Sequence, residues 1–268
     1  MTASRQSDAA ADPRNVQGNA TADRAVQLLL LYNESRTTLT AAEVADHLGL
    51  SRSTTYRYLQ SLRASGLLEE DTVTASFRLG PRIFALARVA RKGLGLSELA
   101  VPMMRDLVTE TGETVLLTCR SGSDVICVER EESTQHLRLS YERGHVLPVH
   151  AGASAVILLA WLEPAELDKI LAETALNQFT ASTITDPNIL RARLSEIRKL
   201  GYAVTFGERD PGVVGIAAPV WNEKKRVAAG LSVVIPSHRV NEDKLQATIA
   251  AVCARADELS ERLQLVNG

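Results

Sequence analysis

Between Leu39 and Gly80 the apolar positions change period twice. Val44, Ala45 and Leu48 stand at helical spacing, and Gly49 follows where a turn between two helices wants a residue at ease with positive φ. Ser51 then supplies the side-chain oxygen that a helix start uses to satisfy an orphan backbone N–H. In the helix beginning there, Thr55, Tyr58, Leu59 and Leu62 follow the helical repeat and are expected to face inward. That leaves Arg52, Ser53, Thr54, Tyr56, Arg57 and Gln60 pointing out. Ser65-Gly66 stops this helix, and two short runs, Leu67 to Glu70 and Ser76 to Leu79, read as strands flanking Asp71 to Ala75.

A helix pair joined at a glycine, whose second member shows Arg, hydroxyls and Gln near its N-terminus, suits the major groove of DNA. The strand pair behind it makes a wing, with Arg78 on it. Any helical hairpin can carry exposed arginines as a solvated face. Small Ala45 at the helix crossing, Gly49, the Ser51 cap and the Ser65-Gly66 stop together favour the DNA-reading alternative.

Residues 1–20 read as a disordered tail, polar and Ala/Asp-rich, with no apolar segment of signal-peptide type. A first helix starts at Thr21, and Ala25, Val26, Leu28, Leu29 and Leu30 are expected to pack behind the helix pair. The DNA-binding module thus spans 21–80. Pro81 opens a linker helix over 81–96, with Ile83, Phe84, Leu86, Ala87 and Ala90 as its apolar side and Gly93 and Gly95 at its end.

From 97 to 268 the pattern is that of an α+β domain. Leu99 to Thr111 is helical, with Val101, Met104, Leu107 and Val108 inward; Thr114 to Cys119 and Val125 to Arg130 form a hairpin, and Leu137 to Ser140 is a candidate third strand. His150 to Leu162 starts with small residues and continues as a buried helix, and Pro164 and Pro187 open two more. Tyr202 to Phe206, Val213 to Trp221 and Arg226 to Ile235 are strands, and a helix capped by Asn241 closes the chain. Helices flanking a mostly antiparallel sheet of about six strands form an architecture that holds small ligands.

Charge adds little until it is divided. The formal net charge is −2, but residues 1–100 hold twelve Lys/Arg against ten Asp/Glu, and the remainder eighteen against twenty-two. Locally the sign is clearer: three arginines and no acid lie between Arg52 and Arg63. Ala155 to Leu162, the longest apolar run, is far short of the roughly 20 residues that span a bilayer, so no membrane partner is expected. Cys119, Cys127 and Cys253 form no zinc-type pattern, and a reducing cytoplasm is the simplest setting. Cys119 and Cys127 fall on neighbouring strands, which leaves a redox role open beside the more ordinary buried, inert one. No Walker loop, nucleophile elbow, zinc-protease helix or dinucleotide turn is present, and neither an enzyme nor a cofactor is expected.

From about Thr21 onward the chain resembles the IclR family of bacterial transcription regulators. The residues that carry the likeness are LSRSTTYRYLQSLRASGLL and FRLGPRIFALA, then TGETVLL, GHVLPVHAGASAVILLA, LGYAVTFGERDPGVVGIAAPV and AAGLSVVIPSHRV, in that order. The resemblance implies an N-terminal winged helix-turn-helix, a linker helix and a C-terminal effector domain with a GAF-like sheet. It also implies a homodimer or homotetramer bound to a palindromic operator in double-stranded DNA. The family's effector pocket maps onto Ala153, Ser154, Gly215, Ala217 and Ser232, and a small organic acid is the expected ligand. Small residues there leave volume, and Ser154 sits near a helix start; the same residues equally permit tight packing of helix on sheet. The chain departs from the family at Ala155-Val156, where many members have Gly-Lys, and at Thr205, near which some carry an acid. Thr55 and Tyr58 replace the usual aliphatic residues.

Overall fold

The computed structural model describes residues 20–33, 35–133 and 141–267. Contacts divide the chain into two units, one up to Ala90 and one from Arg91.

In the first unit, helix α1 (Ala20–Leu29) is followed by strand β1 (Thr38–Thr40), helices α2 (Ala41–Leu48) and α3 (Arg52–Ala64), and strands β2 (Leu68–Asp71) and β3 (Ser76–Leu79). The sheet has the antiparallel order β1-β3-β2. Strand β1 is an element that the sequence reading did not assign. Thr40 explains the switch from strand to helix: its hydroxyl accepts the Glu43 N–H at 3.3 Å while the Glu43 carboxylate accepts the Thr40 N–H at 2.7 Å. This capping box starts α2 at Ala41 and leaves Leu39 to pair with Phe77 across the sheet. Gly49, at φ 62°, ends α2 with its N–H turned back to the helix carbonyls. Leu28, Leu39, Val44, Leu59, Leu62, Leu68 and Phe77 close the core. Of the five α1-side positions expected to pack inward, Leu28 is fully buried, whereas Val26 and Leu30 are exposed. A run as apolar as Val26 to Leu31 covers more of the helix circumference than one face can bury.

Helix α4 (Arg82–Leu94) includes the division at Ala90 and Arg91, and α5 (Leu96–Thr111) follows Gly95. There follow β4 (Thr114–Ser121), β5 (Asp124–Glu131), β6 (Val146–Leu147), α6 (Ala153–Leu159), α7 (Pro164–Glu173), α8 (Pro187–Leu200), β7 (Ala203–Phe206), β8 (Val213–Trp221), β9 (Val227–Pro236) and α9 (Glu242–Asn267). The six strands form one antiparallel sheet in the order β6-β5-β4-β9-β8-β7. The expected strand at Leu137 to Ser140 lies outside the described residues; the sixth strand is Val146–Leu147, too short to show a period.

Helices cover both faces of this sheet, which is why β8 and β9 are nearly continuous apolar runs rather than alternating ones. Leu116, Cys127 and Ala217 face α6, α7 and α8, while Val115, Leu117, Ile216, Leu231 and Val233 face α5 and α9. Ile249, Val252, Ala256, Leu259 and Leu263 give α9 its buried stripe at alternating three- and four-residue steps. In α5 the buried positions include Ala100, Met103, Met104 and Leu107, while Val101 and Val108 are only partly covered. At the β7 edge, the Arg193 guanidinium from α8 donates to the Val204 carbonyl.

Candidate functional site

Two surfaces carry polar chemistry. The first is the outward face of α3. Ser51 stands at the N-cap, its hydroxyl accepting the Thr54 N–H at 3.3 Å and bonding the Thr54 hydroxyl at 2.9 Å. Thr55, Leu59 and Leu62 are buried and Tyr58 is half-buried, so the face containing Arg52, Ser53, Tyr56, Arg57 and Gln60 is the exposed one. Thr54 is half-buried, which distinguishes it from the other outward residues; the Ser53 hydroxyl is tied to the cap as well, at 3.1 Å, but is exposed. Among the described residues neither Arg52 nor Arg57 forms an ion pair, so both guanidiniums stand in solvent. Arg78 differs: on β3 it is exposed, but Glu69 on β2 holds it at 2.9 Å. Arg63 at the far end of α3 is likewise paired with Glu70. The wing tip is an Asx turn in which the Asp71 carboxylate accepts the Val73 and Thr74 N–H groups, which holds its pKa below the usual value.

The second is a small cavity of about 30 Å³, partly open to solvent, where α6 begins against β7 and β8. Ala153, Ser154 and Gly215 line it. Ser232 lies behind the lining, its hydroxyl bonded to that of Ser154 at 2.7 Å, and Ala217 is packed in the helix-covered core directly opposite it across the ladder. Ala217 is therefore a packing residue here: it faces the helices on the same side as Ser232 but lies outside the cavity lining. Gly215 serves close approach as well: a Cβ there would stand 3.1 Å from both the Ala153 Cβ and the Thr205 hydroxyl.

Most of the cavity's polar groups come from a loop that the sequence reading quoted for the family likeness but took no site residue from. Glu208, Arg209 and Asp210 all line it, together with Thr205 and Tyr141. The Glu208 carboxylate accepts the Gly152 N–H at 3.1 Å, and the Thr205 hydroxyl accepts the Ala153 N–H at 3.0 Å. Burial pushes the Glu208 pKa up, against the Gly152 hydrogen bond and the positive charge of Arg193. Tyr141 donates its phenol to Asp210, and burial followed by that bond raises the phenol's pKa. Arg209 lies over the Phe179 ring at 4.8 Å and within 3.5 Å of Asp210. The signal that reveals this loop is three consecutive charged residues in Gly207-Glu-Arg-Asp-Pro-Gly212, bracketed by two positive-φ glycines between apolar strands.

Neighbouring strands do bring Cys119 and Cys127 near each other, but burial pushes their thiols to about 12 and about 11. Thiolate, the reactive form, is scarce at both. No described helix is long and apolar enough to cross a membrane.

A capped, arginine-bearing helix in a winged helix-turn-helix, followed by a two-face-covered sheet with a small polar cavity, defines a ligand-responsive DNA-binding transcription regulator. Residues 21–72 match the IclR helix-turn-helix domain and residues 89–261 the bacterial transcriptional regulator IclR C-terminal domain. The chain belongs to the IclR family, whose members are regulators rather than enzymes. It is 37% identical to the HTH-type transcriptional regulator BhcR of Paracoccus denitrificans over 89% of this chain and 85% of the relative. The crystal structure of an IclR transcriptional regulator from a Silicibacter species superposes with a TM-score of 0.84 at 28% identity, over 91% of this chain and 96% of that one. An IclR homologue from Microbacterium hydrocarbonoxydans, complexed with 4-hydroxybenzoate, superposes with a TM-score of 0.74 at 27% identity, over 91% of this chain and its whole length (100%).

Proposed function

We propose that this regulator binds a palindromic operator as a homodimer or homotetramer in the cytoplasm, placing α3 of each protomer in a major groove, and that a small organic acid in the C-terminal cavity controls binding. The observation that carries the DNA half is the pair of unpaired guanidiniums, Arg52 and Arg57, on the exposed face of a helix capped at Ser51. On this reading 21–80 is the DNA-binding domain, 81–96 the linker helix and 97–268 the effector and assembly domain; the expected tail, 1–20, lies outside the described residues except for Ala20, which opens α1. Phe84, Leu86 and Val89 on α4, at 79%, 52% and 62% exposure, support assembly of copies through this helix. The relative holding 4-hydroxybenzoate supports a carboxylate ligand. A ligand controls DNA binding only through different affinities for the protomer arrangements, and the linker helix is the element through which these are coupled.

Arg52→Ala and Arg57→Ala test the reading helix. A bidentate Arg–guanine contact is worth about 1–3 kcal/mol of discrimination. The variant that loses such a contact is expected to relax operator choice in a gel-shift titration; loss of a phosphate contact lowers affinity uniformly and makes the salt slope shallower. If both variants keep wild-type affinity and selectivity, α3 is not the reading helix. A helical module that docks on another protein would lack the steep salt dependence altogether.

A further inference from the structure

In the C-terminal cavity, hydrogen-bond donors and acceptors are unequally spent. The Gly152 N–H is used by Glu208, the Ala153 N–H by Thr205, and the Tyr141 phenol by Asp210. Ser154 and Ser232 satisfy each other. What the cavity still offers is mostly acceptor: a carboxylate has room for about four hydrogen bonds, and Glu208 makes a single one among the described residues.

The exception is Arg209. Its Nε is buried and has no hydrogen-bond partner among the described residues, while its Nη1 lies 3.5 Å from the Asp210 carboxylate. A buried guanidinium N–H without an acceptor is costly and uncommon, and a bound carboxylate supplies the acceptor it lacks. The acceptors point the same way: Asp210 already takes the Tyr141 phenol, whereas Glu208, on the same lining as Arg209, keeps lone pairs that an anion with nothing else to offer cannot use.

We propose that the effector is a small carboxylic acid bearing a hydrogen-bond donor on the carbon next to its carboxylate, a 2-amino or 2-hydroxy acid rather than the 2-oxo or unsubstituted one. Arg209 takes the carboxylate and Glu208 takes the neighbouring N–H or O–H. Glu208 is thus a specificity-determining residue. This rests on the reading of the cavity as the effector site.

The test titrates the full-length protein with L-alanine, L-lactate, pyruvate and propionate, which differ only in the group on the second carbon, by calorimetry and thermal shift. At least one donor-bearing member is expected to bind about tenfold or more tightly than pyruvate and propionate, the scale of one hydrogen bond to a charged group. Alanine ahead of lactate identifies the cationic donor, and the reverse order the neutral one. Glu208→Gln, which keeps an acceptor for the Gly152 N–H, is expected to abolish the preference; Arg209→Gln is expected to weaken all members about tenfold. Pyruvate or propionate binding as tightly as the donor-bearing acids overturns the proposal, as does the absence of binding by all four. If Arg209→Gln weakens every ligand without any donor preference, only the proposal falls. If neither variant changes any affinity, the ligand lies elsewhere and the effector-site reading falls with it.

Discussion

Gly230 has no room for a methyl group. A Cβ there would stand 2.7 Å from Ile157 Cγ2 and 3.0 Å from the Thr118 hydroxyl, which itself donates to the Ser154 carbonyl at 2.7 Å. Gly230→Ala is therefore expected to destabilise the C-terminal domain by about 1–3 kcal/mol, the usual cost of overfilling a packed core, as a lower denaturant midpoint. At this scale the sequence is an uneven guide. Ala153, Ser154 and Gly215 reach the cavity, but so do Glu208, Arg209 and Asp210, which a search for small residues passes over. Small residues are conspicuous where volume is wanted, yet the same residues close the gap between helix and strand, as Ala217 does; periodicity does not separate the two uses. Nor does it show that Arg78 is held by Glu69, because that pairing depends on the register of β2 against β3.

Helix ends were the most legible elements, because caps are local chemistry. Gly49, Ser51, Pro164, Pro187 and Gly201 all stand at the helix boundaries that their residue types predict. Strands set by distant pairing were less so: β1 is three residues long and β6 two, and each exists through its partner across the sheet. The cap of α3 has a measurable weight. Ser51→Ala removes the acceptor of the Thr54 N–H and is expected to cost about 1 kcal/mol in stability, with Ser51→Asp restoring most of it. Thermal unfolding of the three proteins side by side reads this directly. An alanine variant as stable as the parent shows that the cap contributes nothing to the fold.

For the whole molecule, the presence of two units was visible in the change of pattern along the chain, since three-helix and two-face-covered sheet domains have different periods; the contact division falls between Ala90 and Arg91, within α4, and a continuous helix gives no sign of it in the sequence. Assembly is the property that one protomer displays least. Leu86 and Val89 lie one turn apart on α4 and are both exposed, and a helix joining two copies would bury them. Leu86→Asp/Val89→Asp is expected to shift sedimentation toward the monomer and to weaken operator binding together with it; an unchanged sedimentation profile removes α4 from the interface. Strand addition is a poor alternative route. With β6 only two residues long and the Val204 carbonyl on β7 already occupied by Arg193, the rims of the large sheet are blunted against a foreign backbone. Copies of this chain are thereby steered to meet through side chains, where a mismatch is reversible, and away from the open-ended stacking that unguarded rims invite.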